Sequence, residues 1–398
     1  MHSCKPLLLL IALLLLQACA SPPQRLAPLP AHLAQVASIP GIPQARQWGD
    51  EVPANFQAWL KQPEAKLRQQ QGGIMHRPHN YLVISGGGSN GAFAAGLLVG
   101  WTARGNRPEF QIVTGTSTGA LAAPFAFLGS SQDAKLRQVY TQFSTHDLVE
   151  RRGIWDMLTG DGLVSTSPLR RLIAQHIDAT MITAIAEEGR KGRSLLIGTT
   201  HLDAARPVIW DITRIAASQQ PGAAALIHEV ILASASIPGA FPPVPIQVEA
   251  DGRRYDEVHV DGGVTAQLFL TPRGLDWQRI KQRLGVKGRP QLYVIRNAKL
   301  RQDWSNVPLR LPPLISRTIS TLILNQGIGD ISQLYLMSQQ HGMDFRLAHI
   351  PLDFSEQSDE IFDPDYMRKL FDFGHAKALH SDPWMRPDLD AAAEAPLI

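Results

Sequence analysis

The chain of 398 residues is long enough for one large domain or two modest ones. Its 44% hydrophobic and 18% charged residues are those of a globular protein with a sizeable core, which excludes a disordered chain. A formal charge of +3 is small for this length: it argues against a nucleic-acid partner and allows only a mild attraction to an anionic membrane surface.

The first residues have the three parts of a secretory signal: a basic Lys5, an apolar run from Leu7 to Leu16, then small residues. A run of about ten residues is too short for a bilayer-spanning helix, which needs roughly 20, so residues 1–18 are expected to be removed. The segment Leu16 to Cys19, LQAC, resembles the lipobox of bacterial lipoproteins, which implies a lipidated Cys19 as the mature N-terminus. An ordinary signal peptide with an incidental cysteine is the alternative. With Cys4 inside the removed part, the mature chain carries one thiol and no disulfide framework. Ala20 is not the Asp that, in the resembling lipoproteins, signals inner-membrane retention, so the expected location is the outer membrane, facing the periplasm.

Residues 20 to about 47, rich in Pro and Ala, predict a semi-extended tether, and Trp48 to Gln71 an amphipathic helical segment. Together residues 19–75 form an expected lipidated tether with a helical end, ahead of one α/β domain over 76–386 and a tail over 387–398. Tyr81 to Ser85 predicts a strand, Gly91 to Ala103 a helix, Phe110 to Thr114 a strand and Thr118 to Leu128 a helix, a βαβ pattern that implies a parallel sheet. Further strands are predicted at Ser194 to Leu202, Pro207 to Ile212, Gln291 to Asn297 and Phe345 to Leu352. A hairpin turns at Asp251-Gly252, and a closing helix covers Phe362 to Leu379. The acidic cluster Asp251, Asp256 and Glu257 does not have the spacing of a calcium loop, so turn chemistry and solvated charge account for it, and no metal is expected.

The loop Gly86-Gly87-Gly88-Ser89-Asn90-Gly91 satisfies the dinucleotide fingerprint G-x-G-x-x-G. The acid that would hold a ribose at the end of the second strand is missing, since Glu109 precedes that strand, and no cofactor is expected. After the strand stands Gly115-Thr116-Ser117-Thr118-Gly119, a G-x-S-x-G in which small neighbours let a serine hydroxyl project from a tight strand-to-helix turn. Only 30 residues separate Gly87 from Ser117, so both loops leave parallel strands at one sheet edge and face one crevice. Backbone N–H groups around Gly87 and Gly88 are then placed for an oxyanion formed when Ser117 attacks a carbonyl. A base is required, and Asp261-Gly262-Gly263 at the end of a strand supplies the candidate, although such a tripeptide alone is more often a turn.

Together with GLVSTSPLRRLI at 162–173 and ASASIPGAFPPV at 233–244, these motifs resemble bacterial patatin-like phospholipases over roughly 180 residues in family order. That family is similar to cytosolic phospholipase A2 in using a Ser-Asp dyad without a catalytic histidine. The resemblance implies a three-layer α/β fold with a mainly parallel central sheet flanked by helices, and a serine hydrolase of fatty-acyl esters of the phospholipase A or lysophospholipase type. It assigns Ser117 as nucleophile, Asp261 as base and Gly86, Gly87 and Gly88 as the oxyanion loop. Ser85 and Asn90 depart from the common D-G-G-G-x-R-G, which puts any contribution of the Arg charge in doubt.

Alternatives stay open at this stage. His341, His349, His375 and His380 follow Ser117 and Asp261 in the order of a Ser-Asp-His triad. A catalytically silent envelope lipoprotein and, behind it, a nucleotide-binding protein are the other classes. Phe93, Leu97, Leu121, Phe125, Pro238 and Phe241 are the candidate lining of an acyl pocket. Expected partners are a lipid substrate and the membrane reached through Cys19; the sequence does not address oligomeric state.

Overall fold

The computed structural model describes residues 25–148, 150–151, 164–302, 304–358, 360 and 362–386. Cys19, the signal segment and the tail lie outside them. In chain order the first elements are β1 (Arg46–Trp48), α1 (Phe56–Lys61), α2 (Glu64–Gln71), β2 (Asn80–Ile84), α3 (Gly91–Ala103), β3 (Ile112–Thr116) and α4 (Thr118–Leu128). Then come α5 (Asp133–Thr141), α6 (Thr145–Leu148), the short pair β4 (Glu150–Arg151) and β5 (Val164–Ser165), α7 (Ser167–His176), α8 (Ala179–Arg190), β6 (Ser194–His201) and β7 (Arg206–Asp211). The rest is α9 (Ile212–Ala217), α10 (Ala223–Ser234), β8 (Val244–Ala250), β9 (Arg253–Asp261), α11 (Trp277–Leu284), β10 (Gln291–Arg296), α12 (Leu311–Gln340), β11 (Asp344–His349) and α13 (Pro364–His380).

The large sheet has the order β1-β7-β6-β3-β2-β10-β11, with five neighbouring strands from β6 to β11 parallel and β7 antiparallel to β6. Successive side chains of a strand face opposite ways, and β2 divides accordingly. Leu82 and Ile84 join the core under α3, α4, α10 and α13, whereas Tyr81 and Val83 join the core under α11 and α12. Helices on both faces give the expected three layers and explain why the central strands read as unbroken apolar runs. Asp251 and Gly252 sit at φ of 49° and 69° between β8 and β9, the paired positive dihedrals of a tight two-residue hairpin turn.

On the first face, α3 and α13 meet backbone to backbone. A Cβ on Gly96 would run into the carbonyl of Phe371, and one on Gly100 into that of His375. The apolar, small-residue composition of α3 is thus a packing requirement: ten of its residues are buried.

Residues 25–48 do not form the tether expected of them. Pro28 and Ser38 bridge to Asp256 and Glu249, and β1 pairs with β7. The sequence hid this because the anchoring contacts lie some 200 residues downstream. The Arg46 guanidinium forms a buried ion pair with Glu257, whose side chain is wholly enclosed. Glu257 also accepts from His259 Nε2 at 3.2 Å, and His259 Nδ1 meets Thr199 Oγ1 at 3.0 Å. Glu257 is therefore a core ion rather than the solvated charge expected. The helix expected over Trp48 to Gln71 is likewise two short helices, with Pro63 at the N-cap of the second and Trp48 in β1.

Candidate active site

Ser117 occupies the single-residue turn between β3 and α4, with φ 56° and ψ −125°. A non-glycine residue in that region is strained, and such strain persists only where the surroundings over-determine it. Here they do. A Cβ on Gly115 would strike the carbonyl of Gly119, and one on Gly119 the carbonyl of Ile84, so both glycines are fixed by backbone approach. Ser234, at the end of α10, adds a clamp: its hydroxyl accepts the Ser117 N–H at 2.9 Å and donates to the Gly198 carbonyl at 2.6 Å. The strand runs through Thr116, two residues further than expected, because Gly115 and Thr116 still pair with Ile197 and Gly198 of β6.

Strand β6 also brings up the acid. Beyond Gly198 its partner changes from β3 to β9, which runs in the opposite direction, and Asp261 stands opposite Thr199. The ends of β3 and β9 thus meet head to head along one strand, and Ser117 and Asp261, both buried, come together although 144 residues apart. Asp261 Oδ1 accepts the N–H of Gly263 at 2.7 Å. Burial pushes its carboxyl up to about 6, opposed by hydrogen bonds from the Ser117 hydroxyl and the Gly263 N–H.

The glycine loop lies against the serine. A Cβ on Gly86 would be 3.0 Å from Ser117 Cβ, and Gly87 and Gly88 hold φ of 150° and 58°, values that glycine alone adopts freely. Among the described residues no backbone or side-chain acceptor takes the N–H of Gly87 or Gly88. The loop opens a 3-10 turn, Gly88–Asn90, that leads into α3. Asn297, just past β10, fastens it: its N–H donates to Ser85 Oγ at 2.8 Å, its Nδ2 to the Ser85 carbonyl at 2.9 Å, and its Oδ1 accepts the Ala94 N–H at 3.1 Å. Asn90 accepts the Tyr366 hydroxyl at 2.6 Å. The two departures from the common motif therefore serve loop architecture, and Asn90 brings no charge.

An apolar cavity of about 70 Å³ opens from Gly88 and Ser117 between α4, α5 and α7. Leu121, Phe125 and Phe241 line it as expected; Phe93, Leu97 and Pro238 do not, the first two being wholly buried in the core under α3. Leu169 and Ile173 of the 162–173 motif do line it, a role the sequence reading left unassigned. A larger hollow of about 820 Å³ sits on the other side of the sheet beside α12 and does not include Ser117. His341 lines that hollow, His349 bonds the Ile350 carbonyl, and His375 and His380 lie in α13, so none of the four supplies a triad. Position Thr116, at the end of β3, holds no acid for a ribose.

Gln267 was not anticipated. Its amide packs against Gly86 and Gly263 and donates to the Gly263 carbonyl at 3.1 Å, while its N–H donates to Asp330 of α12 at 2.7 Å. Both halves of the site are thereby tied to α12.

Among solved structures, VipD from Legionella pneumophila aligns over 76% of this chain and 66% of its own at 13% identity and a TM-score of 0.37. Human GIVD cytosolic phospholipase A2 aligns over 76% of this chain and 52% of its own at 11% identity and a TM-score of 0.31. The alignments thus span less than two thirds of either neighbour. No curated protein matches the chain. Residues 82–272 match the family model described as patatin-like phospholipase, a stretch that takes in the glycine loop, Ser117, Ser234 and Asp261. Residues 82–272 thus carry the likeness of a patatin-like phospholipase domain.

Proposed function

We propose that the protein is a phospholipase A or lysophospholipase working through a Ser117-Asp261 dyad. Asp261 takes the Ser117 proton as Oγ bonds to the ester carbonyl carbon, and the carbonyl oxygen becomes an oxyanion received by the N–H groups of Gly87 and Gly88. Collapse expels the lipid alcohol, which recovers the proton from Asp261. Water then attacks the acyl-serine, Asp261 accepts its proton, and the fatty acid leaves as Ser117 is regenerated. The observation that carries this reading is a serine at a strained turn, facing a buried carboxylate, beside two unclaimed backbone donors. The apolar wall of the cavity suits an acyl chain.

The test is labelling by a fluorophosphonate probe. The unmodified chain is expected to label and to release fatty acid from phospholipid, and Ser117→Ala to do neither. Labelling that survives the substitution would reject Ser117 as nucleophile.

The N-terminal segment supports a second part of the proposal, that the chain is anchored by lipid on Cys19 in the outer membrane. Incorporation of radiolabelled palmitate should disappear in Cys19→Ser; retention of label would place any acylation elsewhere.

A further inference from the structure

The N-terminal half of α12 is the most exposed apolar surface among the described residues. From Leu311 to Gln326 no residue is buried, whereas Gly327, Asp330, Ile331, Leu334 and Ser338 anchor the second half. Leu311, Leu314, Ile315, Ile319, Leu322 and Ile323 are all exposed, at spacings of three and four residues that gather them on one side of the helix. Trp304 and Leu309, just upstream, are each 91% exposed. A patch this continuous marks an interaction surface.

Its position follows from the strands. α12 ends at Gln340, close before β11 begins at Asp344, so its second half returns along β11. Gly327 then reaches the opposite end of the sheet, where a Cβ would run into the guanidinium of Arg296, the last residue of β10. That is the end at which the parallel strands deliver Asn297 and Ser117. The 16 residues before Gly327 therefore project about 24 Å past this rim.

Charge selects the occupant. Between residues 298 and 329 the sequence has Lys299, Arg301, Arg310 and Arg317 against one acid, Asp303. A second copy would bring the same excess of cations and so no counter-charge for them, whereas an anionic lipid surface complements them. An apolar helical side with a tryptophan at its margin and basic neighbours suits the lipid interface. No described helix is long and apolar enough to cross a membrane.

We propose that Trp304 and the projecting half of α12 insert into the surface of an anionic membrane and hold the rim bearing Ser117 against it. The docking surface stands on exposure and charge; its value for drawing acyl chains out of a bilayer rests on the function proposed above. Through Asp330 and Gln267 the same helix reaches the glycine loop, so a docked α12 fixes the site's orientation.

The full chain carrying Ser117→Ala, mixed with phosphatidylglycerol vesicles containing brominated acyl chains, makes binding independent of turnover. Tryptophan quenching is expected, at least twofold weaker in Trp304→Phe and lost in Ile319→Glu/Leu322→Glu, whatever the N-terminus contributes. Undiminished quenching in either variant overturns the proposal. So does a chain that is dimeric by sedimentation, becomes monomeric in the double variant and shows no Trp304 quenching, since a second copy would then be the occupant. With Ser117 restored, the double variant should hydrolyse vesicle phospholipid at least 10-fold more slowly and a water-soluble monomeric ester at an unchanged rate; equal loss on both substrates also overturns it. Quenching without hydrolysis of any ester by the unmodified chain would reject the proposed enzyme and leave the docking surface standing.

Discussion

Asp261→Asn is expected to lower kcat roughly 10³- to 10⁴-fold, the scale of a lost general base acting in concert with its nucleophile, with thermal unfolding nearly unchanged. The fold tolerates the change because an asparagine Oδ1 still accepts the Gly263 N–H that Asp261 accepts now. What it cannot do is take the proton of Ser117. The pH profile separates this loss from a structural one. The carboxyl of Asp261 is raised by burial to about 6, so the free base is present above that pH and disappears below it. In the unmodified protein kcat/KM should therefore climb through about pH 6 and level off on the alkaline side. The residual activity of Asp261→Asn should lack that limb. An unchanged rate, or a limb that survives in the variant, would remove Asp261 from the proton path.

The largest effect on stability is expected at Glu257. Its carboxylate has no contact with solvent, and Glu257→Ala leaves the Arg46 guanidinium buried without its ion partner. Removing one member of a buried pair costs about 3–5 kcal/mol, which should lower Tm by roughly 5–10 °C. Arg46→Ala should cost a similar amount, and the double substitution less than the two combined, because each single change strands the other's charge. The same cluster makes the protein acid-sensitive. Burial works to raise the Glu257 carboxyl, but the approach of His201 Nε2 at 3.6 Å, the hydrogen bond from His259 and the charge of Arg46 hold it at about 2. Burial likewise depresses His259 to about 4, against the pull of Glu257. Both folded values lie below the unfolded ones. Each group therefore contributes stability that is complete above its unfolded pKa and is lost as pH falls, for His259 from about 6.5 and for Glu257 from about 4.5. Asp261, raised by burial to about 6, works in the opposite direction below that pH, so the measurement belongs in Asp261→Asn: calorimetry of that variant between pH 7.5 and 4 should show Tm falling, and a flat profile would contradict the assignment.

The parts of the site that were legible in sequence are those whose constraint is local. Glycines around Ser117 are required by carbonyls of adjacent turns, the hairpin needs positive dihedrals at Asp251 and Gly252, and α3 and α4 begin and end at the residues their patterning indicates. Asn297, Ser234, Gln267 and Asp330 were not legible, because their importance lies in partners scores of residues away. Ser234 had a partial signal: it falls inside the ASASIPGAF stretch, which carried family likeness without an assigned role. α12 gave none. Pro312 and Pro313 stand in its first turn, where proline costs no hydrogen bond, and the apolar stripe that follows has no core to announce it. The packing of residues 25–48 was obscured in the same way, its composition being that of a linker and its partners lying in β7, β8 and β9.

Strand β6 acts as a ruler. Gly198 measures off the strand end that carries the hydroxyl and Thr199 the end that carries the carboxylate, so one strand step, about 3.4 Å along β6, separates the two ends between which the proposed proton transfer runs. A residue added in the turn from Leu202 to Ala205, between β6 and β7, can be absorbed without altering that gap. A single residue added between Gly198 and Thr199 cannot: it would turn every later side chain of β6 to the other face and carry Asp261 out of reach of Ser117.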